Sequence, residues 1–270
     1  MILYKYMSFS SAQKVIESNS IGFSCIEDLN DPFEGTALCF ADEAGKESHL
    51  AHNAFISRLS RNFGVLSLTR NPLNALMWSH YGDDHRGVVL GFDVGLSKLD
   101  EIDECVIPAR FGEVIYSPTT PRNFIAEPNE DDLMAVGEET NSFTDHRFDL
   151  FKNCFLYKDF VWGYEEEVRV VKNIRATNVS RYKNESFSNS GGDWHQVQIS
   201  GRPLFCLDLP EKSIVEAYLG CSSYSNVTRL GIGEEEYLST RKGWKNSGIN
   251  TRLVKRSKSS WNLELSDHEI

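Results

Sequence analysis

The segment KDFVWGYEEEVRVVKN, residues 158–173, sets three consecutive glutamates against a valine-rich strand pattern. Read as a strand from Glu165, it puts Glu165, Glu167, Arg169 and Val171 on one face and Glu166, Val168 and Val170 on the other. Two carboxylates two residues apart on one face repel each other unless a cation, a metal or a substrate group compensates. Arg169, next on that face, is the partner the segment supplies itself. Two readings stand side by side: a solvated, salt-bridged outer face, or a site in which one carboxylate holds a ligand hydroxyl while the other acts as a base.

Outward from this segment, strands and helices are interspersed, which predicts an α+β chain. Ile2–Met7, residues 21–25, Gly64–Thr69, Val88–Asp93, 110–116, Ile214–Leu219 and 251–255 read as strands. Ser10–Ser18, 45–60, 73–81, 146–158 and a stretch near 225–230 read as helices. LNDPFEG (29–35) and GDDHRG (82–87) are turns, since Asn, Asp, Pro and Gly favour non-helical backbone. The acidic stretch near 117–145 reads as a loop insertion, and the polar run near 184–195 as a mobile loop. No internal repeat or long linker interrupts the chain, so a single domain over 1–270 is expected.

Composition narrows the function classes. The chain has 270 residues, 40% of them hydrophobic and 25% charged, with 11% aromatics, enough to bury a sizeable core. A net charge of -11 argues against broad nucleic-acid or membrane binding but leaves room for a local basic surface. Residues 241–258 (RKGWKNSGINTRLVKRSK) are such a stretch, opposed by the acidic 127–139. The six cysteines form no C-x-x-C pair, so reduced core thiols are expected rather than a zinc knuckle or disulfide framework. The start MILYKYMSFSS carries no signal-peptide pattern, and no apolar run approaches the roughly 18 residues of a membrane span. Cytoplasm is the expected compartment.

Three further clusters bear on chemistry. In LNALMWSHYGDDHRG (73–87), His80, Asp83, Asp84 and His85 lack metal-ligand spacing, while Trp78 and Tyr81 are placed to wall a pocket. Asn30, Asp31 and Glu34 cap a turn or line a site. Ser67 and Thr69 share one strand face. P-loop, G-x-S-x-G and G-x-G-x-x-G patterns are missing.

LYKYMS (3–8), FSCIEDLNDPFEG (23–35), LSLTRNPLNALMWSHYGDDHRGVVLGFD (66–93), WGYEEEVR (162–169) and EAYLGCSSYSN (216–226) together resemble a bacterial family catalogued as domain of unknown function 2971. A second resemblance is to the ADP-ribosyltransferase-like fold, through Tyr4-Lys5-Tyr6, then Ser67-Leu68-Thr69, then Glu165-Glu166-Glu167 in that order. It implies split mixed and antiparallel β-sheets flanked by helices, with NAD as substrate and no metal. It implies Glu165 and Glu167 as catalytic, Glu167 stabilising an oxocarbenium-like transition state, and Arg169, beside them on the same face, is the third catalytic candidate. NAD would be received by Tyr4, Lys5, Tyr6, Asn30, Asp31, Ser67, Thr69, Trp78, His80, Tyr81 and Trp162. ADP-ribosyl transfer to a protein or nucleic acid, or NAD glycohydrolysis, in a toxin or phage-defence setting, is the expectation that follows. Two features depart from that pattern: Lys5 or a tyrosine stands where the first strand would carry Arg or His, and charged Arg169 follows the E-x-E. The alternatives are a metal-dependent phosphodiester or nucleic-acid enzyme using Asp31, Glu34, Glu165 and Glu167, and a non-catalytic sensor or interaction module.

Overall fold

The structure, a computed structural model, describes residues 1–41, 49–121, 123–126, 140–176, 183–225, 227 and 232–266. Its strands are β1 (Ile2–Met7), β2 (Ser20–Phe23), β3 (Leu38–Ala41), β4 (Phe63–Thr69), β5 (Val88–Asp93), β6 (Ile115–Ser117), β7 (Asn123–Ala126) and β8 (Tyr157–Asp159). They continue with β9 (Glu167–Asn173), β10 (Ser186–Asn189), β11 (Gly192–Ile199), β12 (Arg202–Asp208), β13 (Ile214–Leu219), β14 (Asn250–Arg256) and β15 (Leu263–Leu265). The helices are α1 (Phe9–Ser18), α2 (His49–Asn62), α3 (Ala75–His80), α4 (Asp145–Phe155) and α5 (Glu234–Asn246). The α+β expectation holds. Local chemistry explains several boundaries: the Ser8 hydroxyl caps α1 on the Ser11 amide, and the Asn74 side chain caps α3 on the Leu76 and Met77 amides.

The main sheet runs β15-β14-β13-β5-β1-β4-β9 and is mixed, since β13 and β14 are parallel while the other pairs are antiparallel. A second, antiparallel sheet runs β10-β11-β12-β2. The two meet where Ser24, just past β2, pairs with Val65 of β4. That junction has a cost for β1. It pairs with β5 along its whole length, yet with β4 only at Tyr4↔Thr69. The sheet therefore opens into a wedge between β1 and β4.

One face of the main sheet carries Leu3, Leu66, Leu68, Leu90, Phe92, Val168 and Val170. They form a single core with α1, with Tyr237 and Trp244 of α5, and with Phe23, Trp194 and Phe205 of the second sheet. The other face is apolar at two ends and polar between. At one end Phe63, Val65 and Val171 pack on Phe55 and Leu59 of α2 and Phe151 and Phe155 of α4; at the other, Tyr6, Val89 and Tyr218 pack on Met77 and Trp78 of α3. Each buried large side chain contributes roughly 1.5–3 kcal/mol, so both ends are anchored and the polar middle is left as a recess.

Several expectations change. The strand expected from residue 165 starts at Glu167; Phe160–Glu165 instead coil into a 3-10 turn. The Asp159 carboxylate starts that turn on the Val161 amide, and Glu166 ends it in the left-handed region with φ 45. Residues 110–116 do not form one strand: Ala109–Phe111 is a 3-10 turn and β6 begins at Ile115, because Gly112 lies directly against the Arg169 backbone, where even a Cβ would sit 1.8 Å from its carbonyl oxygen. The polar run 184–192 is β10 and the turn into β11 rather than an open loop, since Phe187 stacks on Trp194 across the hairpin. Of the acidic stretch 117–145, residues 127–139 lie outside the described residues, and β7 pairs in parallel with β3. Most of the helix expected near 225–230, and residues 45–48 of that expected at 45–60, also lie outside them. All six cysteines are free thiols. Among the described residues no helix is long and apolar enough to cross a membrane.

Candidate functional site

The wedge between β1 and β4 is floored by the polar middle of the sheet and holds a cavity of about 190 Å³. Tyr4, Lys5 and Tyr6 border it from β1, Ser67 and Thr69 from β4, Glu167 and Arg169 from β9. Asn30 and Glu34 from the 29–35 turn, Tyr81 from the end of α3, and Lys158 and Glu165 complete the wall. Since β1 leaves β4 after one pair, its edge is open here, and so Lys5 borders the cavity along with both neighbouring tyrosines.

Glu167 and Arg169 share the sheet face their spacing predicts, in register with Thr69 and Ser67 of β4. Glu165 is off the strand, but the left-handed Glu166 turns the chain so that its carboxylate reaches the same place; the Thr69 hydroxyl holds the Glu165 carbonyl at 2.6 Å. Lys158 links the two acids, its Nζ lying 2.7 Å from Glu165 Oε2 and 3.2 Å from Glu167 Oε2, and 4.9 Å from the centre of the Trp162 ring. Arg169 Nε donates to Glu167 at 2.8 Å, while its two terminal nitrogens grip Glu34 at 2.7 and 2.5 Å and one also reaches the Phe155 carbonyl. On the open side, Tyr81 Oη donates to Glu165 Oε1 at 2.7 Å and accepts from Asn30 at 2.9 Å. Lys5 Nζ donates to the Ser67 carbonyl, at 3.0 Å, on the side of β4 that β1 has left.

Three carboxylates thus pair with two cations, Lys158 and Arg169, in a nearly closed centre where Arg169 is 1% exposed and Glu167 5%, and a third cation, Lys5, lies half-buried beside them. Burial by itself would raise the Glu167 carboxyl, but Arg169 and Lys158 outweigh it and hold it at about 2. Burial would likewise lower Lys158 and Arg169, and their carboxylate partners raise both instead. Lys5 behaves differently. Burial brings it down to about 8, opposed only by Glu167, so it alone of the three cations titrates near neutrality. Burial and Glu165 push Tyr81 upward, keeping its hydroxyl a donor.

Of the residues expected to receive a ligand, Tyr4, Lys5, Tyr6, Asn30, Ser67, Thr69 and Tyr81 border the cavity. Trp78 does not: it is fully buried, edge-on to Tyr6, with its indole N–H on the Pro72 carbonyl. Asp31 caps the Phe33 amide, the ordinary turn role. His80 is exposed beside Tyr81 and Tyr164, and Trp162 acts through Lys158 rather than on the cavity. Of the carboxylate set, Glu34, Glu165 and Glu167 border the cavity together, while Asp31 does not. The set's members already neutralise Arg169 and Lys158 or cap a turn, and the described residues contain no group of three His, Cys, Asp or Glu arranged to hold a metal ion. Sequence reading missed Lys158 as a site residue. Its signal was the imbalance of three glutamates against one arginine, which calls for a second cation.

The family described as Protein of unknown function (DUF2971) matches residues 77–170, which include Tyr81, Lys158, Glu165, Glu167 and Arg169 but neither β1 nor β4. No curated protein and no solved structure matches the chain.

Proposed function

We propose that the wedge is an active site that cleaves the nicotinamide–ribose bond of NAD, passing the ADP-ribosyl group to an acceptor or to water, on an ADP-ribosyltransferase-like arrangement of two sheets. One observation carries this reading: Tyr4-Lys5-Tyr6, Ser67/Thr69 and Glu165/Glu167, far apart in sequence, border a single recess where β1 and β4 diverge. The recess is smaller than the roughly 300–1,000 Å³ of a drug-sized pocket. It takes the nicotinamide-ribose end between Tyr81 and the β1 tyrosines, with the remainder of the dinucleotide lying outward past exposed Asn30.

In this chemistry the C–N bond breaks with its electron pair going to the nicotinamide ring, which becomes neutral, and positive charge builds on the ribose. Glu167, ionised throughout the physiological range and fixed by Arg169, is the preorganised anion that stabilises it. Glu165 orients the attacking hydroxyl or water and takes its proton as the new bond forms. Lys158 sets the spacing of the two carboxylates. Enclosure by the sheet face excludes bulk water and strengthens these interactions.

Incubation with NAD and assay of free nicotinamide tests the reading: release by the wild type should fall at least about 100-fold in Glu167→Gln, the scale of losing one electrostatic stabiliser. Equal release by both proteins removes Glu167 from the chemistry. Absence of any NAD binding heat in calorimetry refutes the proposal as a whole.

A further inference from the structure

A second cavity, of about 740 Å³, lies on the other side of α3: Ala75 and His85 border it, whereas Met77 and Tyr81 border the wedge. Its outer wall is the β14–β15 hairpin, whose connection SKSSWN (257–262) is closed by the Ser257 amide on the Asn262 carbonyl at 2.9 Å. Amide-to-serine contacts at Ser259 and Asn262 define the loop inside that closure. At its tip Trp261 is 100% exposed, packed on nothing. Beside it Arg256 and Lys258 are both exposed and, among the described residues, have no acidic partner. Among the described residues, Asp83 and Asp84 are held by Arg86, and Glu264 faces Lys255 in the hairpin register. Cavity-lining His85 has a buried Nδ1 without a hydrogen-bond partner.

The charge here runs against the rest of the molecule. Residues 241–258 hold seven of the chain's 28 Lys and Arg and none of its 39 Asp and Glu, in a protein of net charge -11. A fully exposed indole beside two cations that have no acidic partner among the described residues, with serine hydroxyls in the same loop, is a combination that stacks an unpaired base and takes up its adjoining phosphates. A duplex keeps its bases stacked and offers that indole nothing.

We propose that the β14–β15 hairpin is a docking site for single-stranded nucleic acid, with a base stacked on Trp261 and flanking phosphates on Arg256 and Lys258. The site is separate from the wedge and requires no NAD chemistry. A strand bound here lies one helix away from the other cavity.

Fluorescence anisotropy of the full chain with a fluorescein-labelled oligothymidylate, over a salt series, tests it. Two phosphate contacts on a single strand predict a slope of log affinity against log salt of about -1.4, falling to about -0.7 in Lys258→Gln. Trp261→Ala, a surface change that leaves folding intact, should weaken binding about tenfold or more. Three results overturn the proposal: no anisotropy change at low salt, affinity untouched by both variants, or duplex and heparin bound as tightly as the single strand with Trp261→Ala silent. The last would mark a general polyanion surface. Neither NAD nor the glutamate variants enter the measurement, so its outcome is independent of the wedge.

Discussion

Replacing Glu167 by Gln removes one charge from the centre of the buried cluster while keeping its shape. The wild-type carboxyl is held at about 2, against 4.5 when free. At 1.36 kcal/mol per tenfold, that difference corresponds to about 3 kcal/mol of folding stability near neutral pH, an order-of-magnitude figure. The loss stays near the lower end of the 3–5 kcal/mol typical of a broken buried pair, because Arg169 keeps Glu34 and Lys158 keeps Glu165. At roughly 2–4 °C per kcal/mol for a chain of this size, Tm should drop by about 6–12 °C. The pH dependence has a definite sign. A carboxyl whose pKa is depressed on folding stabilises fully above its unfolded value, and that contribution disappears as pH falls through its folded value. The gap between wild type and Glu167→Gln should therefore be constant from pH 7 to about 5.5, narrow below 4.5 and close near 2. Urea denaturation followed by tryptophan fluorescence, with equal m-values, measures it. A gap under about 1 kcal/mol at pH 7, or one that stays constant down to pH 3, refutes the description of Glu167 as an anion locked by Arg169 and Lys158.

Three further outcomes follow from the geometry. Gly112→Ala places a methyl group against the Arg169 carbonyl and should cost about 3 kcal/mol or more, read as a fall in urea midpoint, since backbone on both sides must shift. Tyr81→Phe removes the donor to Glu165 and the acceptor for Asn30, and should lower stability by about 1–2 kcal/mol in the same assay. Lys5→Met should raise thermal stability at pH 7, since folding pulls the Lys5 amine down to about 8 from 10.5. The unfolded chain binds the extra proton between those values, so wild-type stability climbs with pH there and the variant's advantage should fade by about pH 10.5; an advantage that grows with pH would reverse the assignment.

The candidate site was partly legible in the sequence. Glu167 and Arg169 on one face of β9, with Val168 and Val170 on the core side, followed from alternation. So did the strand character of β1, β4 and β5. Glu165 was placed in the right company for the wrong reason: it belongs to the 3-10 turn, and only the left-handed Glu166 brings it back beside Glu167. Trp78 looked like a pocket wall because large aromatics serve equally as core and as binding surface; burial against Tyr6 settled it as core. The 184–192 run looked like a loop because its serines and asparagines hide the Phe187–Trp194 contact that makes it a hairpin.

What the sequence by itself determined is the α+β character and the one-sided Glu167/Arg169 face, because side-chain alternation is a property of a few consecutive residues. The tertiary structure alone decided that this face is buried, that Lys158 and Glu34 complete its charges, and that a wedge opens beside it. Those outcomes depend on Ser24 pairing with Val65 and so displacing β1 from most of β4. Such a competition between strands distant in the chain leaves no periodic signal in either of them.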